Sequence, residues 1–289
     1  MKVKLFLMNQ KGWGVLKALI PYKNLIAAVV SAEDKGVVED FYEPIRDLAL
    51  AEGIPFYNRK EDPKDDFEMG LAVGWRWLIQ PYENLIVFHD SILPRYRGFA
   101  PLVNMLVNGE PEIGVTVLKA DVTFDTGPII GQKTIPVSYP IKIADAISQI
   151  TALYADLAVE VFSKLDEGKP LESYAQDEQK ASYSIWRDHS DYFIDWTKSA
   201  AEILRLIDAV GHPYQGAMCR ISQGEGVTIS IHSAQSWGEG KAEIIMPGKI
   251  LTFENKCPVV CCGDGRFIVI TEHQMSDGGQ INKLKRRLL

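Results

Sequence analysis

Short apolar runs that alternate with helical patterns through the first half of the chain constrain its fold more than any other feature. Residues 3–8 form one such run, and 12–20 read as the helix that follows it. A second strand, rich in Val and Ala, is expected over 25–32. It is followed by a helix over 37–52 that sets Phe41, Ile45, Leu48 and Ala49 on one face. Residues 54–57, 71–74 and 85–88 are three more strand-like runs. Strands separated by helices need right-handed crossovers, which produce a parallel sheet covered on both faces. The fold class expected is α/β, a Rossmann-like and mostly parallel sheet. Residues 142–164 are the clearest helix: Ile143, Ala146, Ile147, Ile150, Leu153, Tyr154, Leu157, Val161 and Phe162 recur at three- and four-residue steps. That stripe reads as core, and Gly168 and Pro170 stop the helix.

Beyond about residue 180 the texture changes. One helix (199–210) precedes short alternating runs at 217–221, 227–233, 249–253, 259–262 and 267–272. Asp264-Gly265 between the last two is a hairpin signal. Strands of this length and spacing suggest a small barrel or sandwich. Two domains are expected, 1–183 and a helix plus β-rich domain over 184–289. The basic run 283–287 reads as a solvated end. Gly12 and Gly14 hint at a nucleotide fingerprint, but Lys17 stands where its third glycine belongs, which favours a tight strand-to-helix turn.

Composition excludes several classes. With 46% hydrophobic and 24% charged residues the chain is neither disordered nor fibrous. Its 31 basic residues against 38 acidic ones, a formal charge of −7, weigh against a polyanion partner. The first apolar run meets Asn9-Gln10-Lys11 too early for a signal peptide, and no run approaches the roughly 20 residues that span a bilayer. A cytoplasmic protein with no membrane contact is expected. The four cysteines (219, 257, 261 and 262) match no zinc spacing and read as structural thiols, so no metal is expected.

The chemistry concentrates at Phe88-His89-Asp90-Ser91-Ile92-Leu93-Pro94-Arg95-Tyr96-Arg97-Gly98. A histidine there ends an apolar strand, where ligands bind in open α/β sheets. A second polar cluster, Asp121-Val122-Thr123-Phe124-Asp125-Thr126-Gly127, follows a strand expected over 113–120. A carboxylate near an imidazole can orient the ring and hold its protonated form, so the two could form an acid–base unit.

His89-x-Ser91-x-Leu93-Pro94-x-x-x-Gly98 followed by Asp125-Thr126-Gly127 resembles the signature of the folate-dependent formyltransferases. Asn108-Gly109-Glu110 and Gly114-Val115-Thr116 fit the same pattern. The resemblance runs from the first strand to about Val137 and, more loosely, into the β-rich end. It implies N10-formyltetrahydrofolate as co-substrate and a neutral amine that attacks its formyl carbon. His89 would take or relay the amine's proton, and Asp125 would orient His89 and offset its charge. The resemblance places the folate against Gly74, Trp75, Arg76, Ile92, Leu93, Asp121 and Asp125, although Trp75 and Trp77 read equally well as packing residues. Ser91, Arg95, Tyr96, Arg97, Trp186 and Arg187 would meet the acceptor. One position departs from the family: an Asn two residues before the histidine steadies the oxyanion, and here Val87 stands there. Asn104 or a backbone N–H could substitute.

Among the branches, the glycinamide ribonucleotide enzymes resemble only the first domain. The methionyl-tRNA enzymes typically carry a long basic loop after the second strand, whereas this chain has Ser31-Ala32-Glu33-Asp34-Lys35-Gly36. A tRNA ligand would want clustered cations. That leaves the sugar N-formyltransferases, acting on a nucleotide-linked amino-deoxysugar, with a UDP- or dTDP-4-amino-4,6-dideoxyhexose as in pseudaminic-acid formyltransferases. Ser182 to Asp188, Asp191 to Trp196 and Asp208 to Ala217 resemble the entry to their second domain. Trp186, Tyr192 and Trp196 could equally pack the domain junction. No nucleic-acid partner is expected, and a homodimer is. The alternatives are a methionyl-tRNA formyltransferase, a 10-formyltetrahydrofolate hydrolase and a folate-binding relative without catalysis.

Overall fold

The computed structural model describes residues 1–63, 67–80, 83–222, 227–282, 284 and 286–289. It divides into two compact units. The first comprises Met1–Leu102, Pro111–Val137 and Asp145–Trp186; the second comprises Val103–Glu110, Ser138–Ala144 and Arg187–Leu289.

The first unit is built on a seven-stranded sheet. Its strands are β1 (Val3–Leu7), β2 (Ile26–Ser31), β3 (Phe56–Asn58), β4 (Met69–Val73), β5 (Leu85–His89), β7 (Glu112–Lys119) and β8 (Ile129–Pro136), in the order β3-β2-β1-β4-β5-β7-β8. The five from β3 to β5 are parallel, while β7 runs antiparallel to β5 and β8 antiparallel to β7. A short pair, β6 (Arg97–Gly98) with β9 (Tyr183–Ser184), lies apart from that sheet. The apolar stripe forms α4 (Ile143–Asp166), and Ile143, Ala146, Ile150, Ala158 and Phe162 are fully buried.

Two local expectations are corrected here. Gly12 and Gly14 lie inside α1 (Asn9–Leu19), not in a turn before it. A Cβ on Gly12 would press on Leu7, and one on Gly14 would collide with Thr151 of α4. The missing side chains therefore allow helix-to-strand and helix-to-helix approach. The second helix, α2 (Tyr42–Ala51), starts five residues later than the periodicity suggests. The segment before it is taken by side-chain turns: Asp34 Oδ1 accepts from the Gly36 amide and Asp40 Oδ1 from the Tyr42 amide. Asp side chains that bind nearby backbone compete with helix in this way.

In the second unit α3 (Pro101–Asn108) contributes its residues from Val103 onward. Helix α5 (Ala200–Ala209) begins on a capping box between Ser199 and Glu202. Five antiparallel strands follow: β10 (Ala217–Arg220), β11 (Thr228–Ser236), β12 (Ile250–Glu254), β13 (Cys257–Cys261) and β14 (Phe267–Met275), in the order β10-β11-β14-β13-β12. The expectation of a solvated basic end is overturned at Arg287 and Leu288; Lys283 and Lys285 lie outside the described residues. Leu288 is 1% exposed and bridges to Ile221 beside β10, while Arg287 bridges to Lys249 beside β12. The tail thus binds both edges of the sheet, whose unpaired amides and carbonyls would otherwise be open. All four cysteines are free thiols, and burial pushes Cys219 and Cys262 up to about 12.

Candidate active site

Strands β1, β4 and β5 are neighbours, so the loops leaving their carboxyl ends converge. Gly74 leaves β4 at φ +62, where a Cβ would strike the Asn9 side chain at the start of α1. His89, 7% exposed, closes β5.

His89 Nε2 lies 2.8 Å from the carbonyl oxygen of Tyr96. A carbonyl only accepts, so Nε2 carries a proton, and the tautomer follows from this partner. Nδ1 faces Asp125 Oδ1 at 3.5 Å. The other carboxylate oxygen of Asp125 accepts from the Gly98 amide at 2.8 Å. The structure therefore brings the two residues together across more than thirty positions of sequence, each anchored by backbone of the loop between β5 and α3.

That loop is nailed down from beneath. Thr116, fully buried and paired in register with His89, donates to the Ser91 carbonyl (2.7 Å) and accepts from the Leu93 amide (3.2 Å). Gln132 donates to both the Leu93 carbonyl (2.7 Å) and Thr116 Oγ1 (2.8 Å). The Leu93–Pro94 peptide is cis. Next to His89 in the chain, the half-buried Asp90 carboxylate meets Lys11 Nζ at 2.5 Å and accepts from the Tyr154 hydroxyl. Burial disfavours its charge, yet the ammonium of Lys11 and the Tyr154 phenol outweigh that and hold the carboxyl below its ordinary range. Burial first, and the Asp90 charge second, push the Tyr154 phenol well above its ordinary value.

The remaining residues named from the sequence, together with Phe99 and Phe124, which the sequence did not single out, fall into three groups. Several are turned inward. Ser91 is fully buried and donates to the Arg95 carbonyl, and Leu93 packs with Leu118, Ile129 and Val87. Arg97, 1% exposed, forms a bidentate pair with Glu178 (2.7 and 2.8 Å), which raises its pKa. Ile92 lies over Gly114, and Tyr96 offers His89 its carbonyl. Others lie on the loops that follow β4, β5 and β7. Arg76 pairs with buried Asp34 at 2.5 Å, Arg95 lies over the Tyr96 ring, and exposed Asp121 accepts from the Val122 amide. Trp75 stacks edge-on against Phe6 and Trp77, both at 5.3 Å, and its buried indole N–H has no partner among the described residues. The third group is aromatic and open. Phe99, Phe124 and Trp186 are 44%, 60% and 59% exposed, with ring centroids 6.0 Å (Phe99–Phe124) and 5.4 Å (Phe99–Trp186) apart. Phe99 follows Gly98 in the chain and Phe124 precedes Asp125, the two residues joined through the Gly98 amide.

In the second unit, Arg187 Nε donates to Asn104 Oδ1 at 2.7 Å, so that oxygen is occupied. Val87 packs against Leu93, Leu118 and Ile129 and offers no hydrogen bond. Among the described residues no group of three or more His, Cys, Asp or Glu could hold a metal ion, and no helix is long and apolar enough to cross a membrane.

Sequence reasoning missed Thr116 and Gln132 as anchors, Lys11 and Tyr154 behind Asp90, and Gln176, which touches Asp125. Tyr154 lay hidden in the core stripe of α4. Gln176 stands in a polar stretch without periodicity, so nothing marked it.

The family models and the similar curated proteins agree on one family. A model of the formyl transferase matches residues 74–165, and a model of the formyl transferase C-terminal domain matches residues 187–284. The chain is 30% identical over 281 residues to the methionyl-tRNA formyltransferase of Stutzerimonas stutzeri strain A1501, covering 91% of this chain and 86% of the relative. It is 31% identical over 184 residues to that of Rhodopseudomonas palustris strain BisB18; there the match covers 63% of this chain and little over half, 56%, of the relative. The fold is similar to the N-formyltransferase from Helicobacter canadensis in complex with folinic acid and dTDP-3-aminofucose. The TM-score is 0.70 at 19% identity, over 93% of this chain and 98% of that one.

Proposed function

We propose that this chain, which belongs to the formyl transferase family, moves the formyl group of N10-formyltetrahydrofolate onto the amino group of a nucleotide-linked amino-deoxysugar. The observation that carries this reading is the exposed Phe99–Phe124–Trp186 cluster beside the His89–Asp125 pair. Open aromatic faces of this size mark binding surfaces, and a nucleobase is a flat ring that stacks on them. The loop after β2 supports the same reading, because Glu33, Asp34, Glu39 and Asp40 surround its Lys35 and Asp34 pairs with Arg76, an acidic balance that disfavours the phosphates of a polynucleotide. The Helicobacter canadensis protein of this fold is in complex with folinic acid and a dTDP-linked amino sugar.

The mechanism follows from the partners of the imidazole. With Nε2–H committed to the Tyr96 carbonyl, the ring's lone pair is on Nδ1. The amine nitrogen attacks the formyl carbon and forms a tetrahedral intermediate. Its surplus proton passes to Nδ1, and the imidazolium so formed faces the Asp125 carboxylate. As the oxyanion re-forms its C=O bond the C–N10 bond breaks, the imidazolium returns that proton to N10, and the formamide leaves with His89 neutral again. The loops after β4 and β5 would hold the donor. At Val87 the chain supplies apolar packing to Leu93, so oxyanion stabilisation rests on other donors.

A second reading is favoured by the names of the similar curated proteins, whose acceptor would be the amine of methionyl-tRNA. One assay separates the two. Protein is incubated with N10-formyltetrahydrofolate and either a panel of UDP-, dTDP- and GDP-linked amino-deoxysugars or charged initiator tRNA, and products are read by mass spectrometry. A formyl gain on a UDP- or dTDP-4-amino-4,6-dideoxyhexose is the expected result; product with the tRNA alone overturns it.

A further inference from the structure

The stretch that follows α4 crosses back over the site. Tyr174 pairs with Ile129 at the foot of β8, through bonds of 2.8 and 2.9 Å. Ser182 Oγ accepts from the Tyr96 amide, and the Ser182 carbonyl accepts from the Arg97 amide. Residues 174–184 therefore span the Asp125 loop at one end and the loop after His89 at the other. Between these anchors stands Gln176. Its amide nitrogen donates to the carbonyls of Asp125 (2.7 Å) and Gly127 (2.8 Å), and its Oε1 accepts from Arg97 at 2.8 and 3.1 Å.

Each end of this link needs the chemistry that glutamine has. The Asp125 and Gly127 carbonyls need a donor each, while the Arg97 guanidinium needs an acceptor, and a side-chain amide carries two N–H donors and a carbonyl oxygen in one group. Asp125 also sits at φ +58, in the left-handed region, so its backbone stays there only where neighbours hold it. Gly98, which supplies the amide to Asp125 Oδ2, is the residue after Arg97. The carboxylate is thus fixed twice to the same short segment: directly through Gly98, and through Gln176 and Arg97.

We propose that Gln176 is a positioning residue for the proposed reaction, holding the Asp125 loop in register with the loop after His89 so that the carboxylate stays opposite Nδ1. The inference rests on the catalytic reading of His89 and Asp125. Gln176 touches no reacting atom; it acts through Asp125.

The test uses the full chain. Gln176→Met keeps shape and removes both hydrogen-bonding groups. It should lower kcat about ten- to a hundredfold, the scale of a misplacement near 1 Å, with both KM values within about twofold. In the Asp125→Asn background the same substitution should cost less than about twofold more, because the carboxylate it positions is already gone. Equal losses in both backgrounds overturn the proposal. Gln176→Glu keeps an acceptor for Arg97 but points oxygen at two carbonyls, and it must also lose activity; wild-type kcat in that variant overturns the proposal as well. A turnover-free measurement separates this inference from the functional reading. The His89 ring resonances, followed by NMR, should move in Gln176→Met in the same sense as in Asp125→Asn, and unmoved resonances contradict the link. Should the wild type formylate no acceptor, the functional reading fails and the NMR result decides Gln176 alone.

Discussion

Asp125 presents one carboxylate oxygen to His89 Nδ1 at 3.5 Å and the other to the Gly98 amide at 2.8 Å. One bond places the side chain; the other contact is free to respond to charge on the ring. Asp125→Asn should preserve the first and remove the second. We expect kcat to fall about 10²–10⁴-fold, the range for acid–base catalysis by a positioned side chain, with an unfolding temperature close to wild type. Steady-state kinetics and a thermal melt on the same sample check both halves.

Val87 is the position where the family resemblance implies an amide. Its side chain lies among Leu93, Leu118 and Ile129. Val87→Asn would set an unpaired amide against apolar neighbours, at a cost of about 1–3 kcal/mol. The expected outcome is a lower urea midpoint together with no gain in turnover; a faster enzyme of unchanged stability would show that the site lacks only that donor.

Lys11 and Asp90 form an ion pair with both side chains 13% exposed. Asp90's carboxyl is held below its unfolded value, so its contribution to stability is present above about pH 3.9 and is lost as pH falls through the lower folded value. Lys11→Met removes the ammonium and leaves the carboxylate with the Tyr154 hydroxyl, which costs about 3–5 kcal/mol at pH 7. In that variant burial prevails and the sign reverses: stability should rise as pH falls from 7 towards 5. Urea titrations at the two pH values measure the reversal.

Trp186 stands at the exposed end of the aromatic cluster, 5.4 Å from Phe99. Stacking of a base on an aromatic ring is worth about 1–3 kcal/mol. Trp186→Ala should therefore raise KM for the nucleotide sugar about five- to a hundredfold while leaving KM for the folate within about twofold. An unchanged KM would remove the nucleobase from this surface.

Much of this arrangement was legible in the chain because burial writes itself as periodicity. The parallel strands, the α4 stripe and the β-rich end all follow from runs of Val, Ile and Leu. His89 stood out because a polar residue closing an apolar strand needs a reason. Other features had no such signature. Gly12 and Gly14 looked like a turn because close helix packing and a tight turn ask for the same residue. The basic end looked solvated because its pairing with Ile221 and Lys249 is long-range backbone hydrogen bonding, which composition does not encode. Arg97 and Ser91 read as ligand-facing polar groups, whereas their partners, Glu178 and the Arg95 carbonyl, turn them inward. Gln176 and Thr116 act through contacts made across 51 and 25 positions, which a single sequence does not reveal.

The central claim is that His89, backed by Asp125, drives formyl transfer to a nucleotide-linked amino sugar. The most direct measurement is the rate at which one formyl group appears on such a sugar, by mass spectrometry, with wild type and His89→Asn side by side. The expected result is product with the wild type and a rate about 10²–10⁴-fold lower with the variant at unchanged fold. Equal rates from the two proteins would contradict the account.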